Sequence, residues 1–176
     1  MKFFIFSSIL AASAVLAAPT SHLTSRQAVC NPNQLPSETE ATGAIRDWLA
    51  DVNTVNAFLD NAPRASSSQA AQALQFAKKE PNNLKVLARV CGVSDAYTRA
   101  VQDLGQVFGG VLTNLQAIVD DEAAAPRAAA TINRIRCCNV LPDLDVLWRE
   151  AAESYGVVGQ VQVSVPRPGA CAAVKC

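Results

Sequence analysis

The chain has 176 residues, with 15 basic against 15 acidic side chains and 50% hydrophobic residues. This even balance argues against a nucleic-acid partner, which would need a basic footprint. The single histidine, His22, removes most hydrolase chemistry as well if the chain is processed in the way its first residues suggest.

The opening "MKFFIFSSILAASAVLAAPTS" sets Lys2 before an apolar run from Phe3 to Leu16, followed by small residues, which is the pattern of a secretory signal peptide. Pro19 disfavours cleavage after Ala18, so the cut is placed between Ala17 and Ala18 and residues 1–17 form the signal peptide. Residues 18–26 are a candidate pro-segment ending at Arg26, and residues 27–176 form a single helical domain whose last part, 157–176, is an extended tail. Losing Lys2 and Arg26 leaves a small negative excess, on a length sufficient for one core. No later stretch approaches the ~20 apolar residues of a membrane span, and "GACAAVKC" lacks the apolar tail of a lipid-anchor signal. No Asn-x-Ser/Thr acceptor occurs, and the expected location is extracellular.

In "LPSETEATGAIRDWLADVNTVNAFLDNAP", Ser37 and Glu40 stand in the relation of a capping box, so a helix should start near Glu38. Ile45, Trp48, Leu49, Val52, Val55, Phe58 and Leu59 follow at steps of three and four, and Asn61 to Pro63 end the run. On that stripe Trp48 reads as core rather than as a sugar-stacking platform. "AAQALQFAKK" predicts a second helix that ends near Glu80, because the residue before Pro81 is pushed out of the helical region. "PNNLKVLARVCG" resumes a helix and stops at Gly92.

Ser94 can cap the longest run, whose seam is Tyr97, Val101, Leu104, Phe108, Val111, Leu115 and Ile118. Gly109 and Gly110 lie inside it and imply a kink or the close approach of another backbone. Pro126 suits the first turn of the alanine-rich segment that carries Ile132 and Ile135. A further helix should begin at "LPDLD", with Pro142, Asp143 and Asp145 at its positive end and Leu144, Leu147 and Trp148 inward, and stop at Gly156. Val161, Val163 and Val165 then alternate with Gln160, Gln162 and Ser164 before Pro166 and Pro168, the pattern of an extended flap held down by Cys171 or Cys176. The expected fold is all-α, a bundle of five or six helices with an extended C-terminal tail.

Six cysteines, Cys30, Cys91, Cys137, Cys138, Cys171 and Cys176, in a chain bound for an oxidising compartment read as three disulfides. Cys137 and Cys138 are neighbours on a helix, pointing about 100° apart, so each should reach its own partner and staple one helix on two sides. Zinc-site and C-x-x-C redox spacings are both missing. No cofactor or metal is expected. With His22 in the segment removed by processing, a mature Ser-His-Asp or Cys-His mechanism has no base. Two carboxylates can still run glycoside hydrolysis, and Asp47 with Asp51, or Asp143 with Asp145, are the pairs close enough in sequence. The first pair falls on an expected solvent face and the second at a helix start, so no enzyme is expected.

The signal-led layout, the "TSRQ" junction, the alanine-rich helices and "RCCNVLPDLDVLWREAA" together resemble the small secreted cysteine-containing proteins of filamentous fungi, many of them effector candidates. The layout is also similar to the hydrophobic-surface-binding and cell-wall mannoprotein family, whose members bind apolar surfaces or lipids in helical bundles, although six cysteines depart from that family's pattern. The first resemblance implies an interaction protein acting outside the cell on a host protein or a cell-wall component. The second implies a lipid or apolar-ligand carrier, with Leu104, Phe108, Val111, Leu115 and Trp148 as the candidate lining.

Overall fold

The computed structural model describes residues 32–176; the signal-peptide and pro-segment boundaries, His22 and Cys30 lie outside the described residues. Among the described residues the regular structure is all helical. Helix α1 (Glu38–Asn61) starts on the expected capping box, in which the Glu40 amide donates to Ser37 Oγ and the Ser37 amide donates to Glu40 Oε2 at 2.8 Å. These bonds hold the Glu40 carboxyl below its ordinary value. Helix α2 (Ser67–Ala77) opens on a second box, Ser66 with Gln69. Helix α4 (Asp95–Asp120) is capped by Ser94 as expected.

The sequence predicts five or six separate helices, but the described chain forms four rods, for two local reasons. Between α2 and α3 (Glu80–Leu87), Lys78 and Lys79 keep right-handed helical angles, and the amides of Lys79 and Asn82 reach back three residues to Phe76 and Lys79. The helix therefore tightens and bends ahead of Pro81 where a break was the expectation. Helix α5 (Ala125–Ile135) likewise runs into α6 (Leu141–Ser154) through a single π turn, Arg136–Val140. Pro142 explains this turn. Its ring would clash with the carbonyl four residues back, at Cys138, and a wider turn moves that carbonyl away.

The apolar stripes meet in two clusters stacked along the bundle. One gathers Ile45, Trp48 and Val52 of α1, Leu84 and Leu87 of α3, Leu104 and Phe108 of α4, and Leu144, Leu147 and Trp148 of α6. The other gathers Val55, Phe58 and Leu59 of α1, α2, Val111, Leu115 and Ile118 of α4, and Ile132 of α5. Helix α4 spans both, and Gly110 sits where one gives way to the other. A Cβ there would stand 2.9 Å from Ile135 Cδ1, whereas one at Gly109 would meet nothing within 4 Å. Close approach thus accounts for Gly110 alone.

The tail after Gly156 has no regular structure until a short 3-10 turn at Gly169–Ala173. The expected alternation holds: Val161, Val163 and Val165 turn inward while Gln160, Gln162 and Ser164 are exposed. The tail is fastened along its length. The Val165 amide donates to Asp145 Oδ1 at 2.7 Å, Arg167 pairs with Asp145, Asn56 Nδ2 donates to the Pro166 carbonyl at 2.8 Å, and the Ala170 amide donates to Asp60 at 3.3 Å.

Candidate functional site

At the level where the two apolar clusters meet, the core is polar. Arg136 and Glu80 have no exposed surface and form an ion pair at 3.0 Å. The second Glu80 oxygen accepts from Trp48 Nε1 at 2.8 Å, and Arg136 Nη2 donates to Asn56 Oδ1 at 3.3 Å. Asn56 then continues the chain of bonds to the tail. Arg136 Nε and Trp148 Nε1 are buried without a partner. One connected layer therefore ties α1, α3, the π turn and the tail into a single register, a use of buried polar groups seen in coiled coils. These residues were missed in the sequence, although a signal existed. Asn56, Glu80 and Arg136 each stand four residues after an apolar stripe position or four before one: Val52, Leu84 and Ile132 respectively.

The cysteines are all engaged among the described residues. Cys137 is bonded to Cys171 and Cys138 to Cys176, with Cα separations of 5.5 and 5.4 Å, and Cys91 is disulfide-bonded too. The neighbours reach different partners as expected, but both partners lie in the one tail, so the helix is strapped along a single side. The five candidate lining residues are core. Leu104, Val111, Leu115 and Trp148 have no exposed surface and Phe108 has 4%. Trp48 fills the space among the large rings, with centroids 6.0 Å from Phe108 and 6.4 Å from Trp148.

Of the two carboxylate pairs, Asp143 and Asp145 serve the fold, since Asp145 holds the tail. Helix α6 begins at Leu141 with Pro142 and Asp143 in its first turn as expected, but the π turn runs straight into it and the Leu141 amide already bonds to the Arg136 carbonyl. Burial with Asp103 nearby raises the Asp143 carboxyl to about 6. The other pair lines a recess of about 460 Å³ between α1 and the bend joining α2 to α3. Its walls are Asp47, Ala50, Asp51, Phe76, Lys79, Asn82 and Asn83. Lys79 Nζ lies 4.2 Å from the centre of the Phe76 ring. Asp51, expected on a solvent face, is only 4% exposed, because it sits on the core stripe between Trp48 and Val55. Its one protein hydrogen bond among the described residues is a long one, 3.4 Å from Asn83 Nδ2 to Oδ2. Burial raises this carboxyl to about 6, with Lys79 pulling the other way.

A second groove, about 500 Å³ between α1 and α2, is lined by Asn53, Thr54, Asn61, Gln69 and Gln72 over Phe58 and carries no charged side chain. Among the described residues no group of three or more His, Cys, Asp or Glu is placed to hold a metal, and no helix is long and apolar enough to cross a membrane.

The raised carboxyls fix the sign of the pH dependence. Asp51 and Asp143 bind protons more tightly in the folded chain, at about 6, than at the ordinary 3.8. Their contribution to stability is full below the unfolded value and is lost as pH rises through 6. Each shift is worth about 1–3 kcal/mol, so the melting temperature should be several degrees higher at pH near 5 than at pH near 7.5. The Asp51→Asn/Asp143→Asn double variant should flatten this profile. A wild-type protein that melts lower at the acid pH would contradict the assignment.

Compared with family models, with curated proteins and with solved structures, the chain matches none.

Proposed function

We propose that this chain is a secreted, non-enzymatic fungal protein that works outside the cell as an interaction module at a host or cell-wall surface, and that its six cysteines form three disulfides. With Cys137, Cys138, Cys171 and Cys176 accounted for, Cys30 is the partner left for Cys91. The leader-like opening and the oxidised cysteines support the compartment.

The observation that carries the interaction reading is the recess at Asp51, where acceptors, donors and an aromatic ring converge on one concavity. Its carboxylates come from successive turns of the same helix face. They would lie side by side against a bound sugar, whereas glycoside hydrolysis needs an acid and a base or nucleophile on opposite sides of the bond. The carrier reading has less support, since its candidate lining is packed ring against ring.

Expression of the full chain in a secreting eukaryotic host tests the proposal. The product should appear in the medium with a new N-terminus at Ala18 or Gln27, take up no alkylating label without reduction, sediment with intact cell walls or host surfaces, and release no sugar from wall glycans. Full-length protein retained in the cell overturns the secreted reading. Glycan hydrolysis that Asp51→Asn abolishes overturns the non-enzymatic one.

A further inference from the structure

We propose that the recess between α1 and the α2–α3 bend binds a neutral oligosaccharide through its hydroxyl groups. This rests on the extracellular interaction reading and names the ligand class for its site. Four features carry it. Asp51 is 4% exposed and lines the recess, and its Oδ1 has no hydrogen-bond donor among the described residues. A carboxylate in that position is an acceptor waiting for a donor from outside, and a hydroxyl is the neutral group that gives the short, charge-assisted bond.

Beside it, Asn83 is already turned toward Asp51, and the exposed Asn82 has a side-chain amide with no hydrogen bond among the described residues, able both to donate and to accept. Paired hydroxyls on adjacent ring carbons require just such a mixture of acceptors and donors. Phe76, half-buried at the rim, adds an apolar wall and carries the Lys79 ammonium over its ring, where it can donate to a sugar hydroxyl. The mixed charge of the lining favours a neutral ligand over an ion of either sign. Two carboxylates, Asp47 and Asp51, oppose an anion, while the field of Lys79, which reaches Asp51, opposes a second cation. A neutral ligand meets neither obstacle and can accept a hydrogen bond from Lys79. The volume, about 460 Å³, lies within the range of small-molecule sites.

The test is a titration of the isotopically labelled, disulfide-intact protein with laminarihexaose, cellohexaose and mannohexaose, followed by amide NMR. One of the three should shift resonances confined to residues 47–51 and 76–83, with a dissociation constant near the millimolar range that suits a single half-open site. Asp51→Asn should bind about tenfold more weakly and Asn82→Ala severalfold more weakly. Asn82 is exposed, so its variant keeps the test sound if Asp51→Asn does not fold. Shifts elsewhere on the surface, no shift with any of the three sugars, or shifts produced instead by calcium chloride or spermidine overturn the inference. A protein that is secreted and sediments with walls but leaves the recess unperturbed defeats this inference alone, whereas failure of secretion defeats the reading beneath it.

Discussion

Glu80→Ala is expected to cost 3–5 kcal/mol, on the order of half of a typical domain's stability. The substitution strands the Arg136 guanidinium, which has no exposed surface and whose Nε already lacks a partner, and removes the acceptor for Trp48 Nε1. A stranded buried charge is the most expensive defect a core can carry, because neither water nor a counter-ion can reach it. Glu80→Gln should cost less, since an amide oxygen can still accept from Trp48, but it leaves the positive charge unbalanced. Arg136→Met alone should be comparably damaging, because it leaves the carboxylate unpaired. The Glu80→Leu/Arg136→Met pair removes both charges and should lose much less than the sum of its single variants, as replacement of buried ion pairs by apolar groups generally does. Urea unfolding at neutral pH measures all of these. Single variants that cost under about 1 kcal/mol, or a double variant that costs the full sum, would show that the layer does not hold the bundle together.

Local signals carried far along this chain. The capping box at Ser37 and Glu40, the Ser94 cap and the stop at Gly156, which takes a positive φ of 68°, lie where neighbouring residues require them, whereas α3 ends at Leu87, ahead of the stop expected at Gly92. The stripes named the core because burial follows the helical repeat. What failed was the counting of rods, since a tightened bend at Lys78–Lys79 and a π turn ahead of Pro142 let proline sit inside nearly continuous helices. The polar layer failed for another reason. Glu80 and Arg136 are 56 residues apart, and each looks solvated in its own segment; only their places on the apolar repeat betray them. Asp51 shows the same pattern. It was named for its chemistry, yet its step of three from Trp48 and four to Val55 already placed it at the edge of the core.

The recess and the polar layer are neighbours in both sequence and space. Lys79 lines the recess, the next residue is the buried Glu80, and the charge of Glu80 helps to raise the Asp51 carboxyl. The bend that brings Phe76, Lys79, Asn82 and Asn83 around Asp51 is therefore anchored from beneath by the Glu80–Arg136 pair. A rigid support of this kind holds a binding site's groups in place at little entropic cost to the ligand. It also places the recess on the opposite end of the same network from the tail, which Asn56 joins through the Pro166 carbonyl.

Removing both tail disulfides should cost about 6 kcal/mol, whereas removing either alone should cost about 2 kcal/mol. The reason is that their loops overlap almost completely. Cys137–Cys171 and Cys138–Cys176 span 34 and 38 residues, so whichever forms first closes a loop worth about 4 kcal/mol in the chain-entropy model. Once one is closed, the ends of the other are separated only by the adjacent pair Cys137–Cys138 on one side and the short stretch from Cys171 to Cys176 on the other. Closing that small ring adds about 2 kcal/mol. The Cys137→Ser/Cys171→Ser and Cys138→Ser/Cys176→Ser variants should therefore each melt only modestly below the wild type, and the variant with all four serines should fall much further than the two losses added together. In that variant the tail is left to Asp145, Asn56 and Asp60, so Val165 should become open to protease while the helical circular-dichroism signal persists. Losses of about 4 kcal/mol for each pair, adding simply, would mean that the two bonds hold independent loops and that the shared strap described here is wrong.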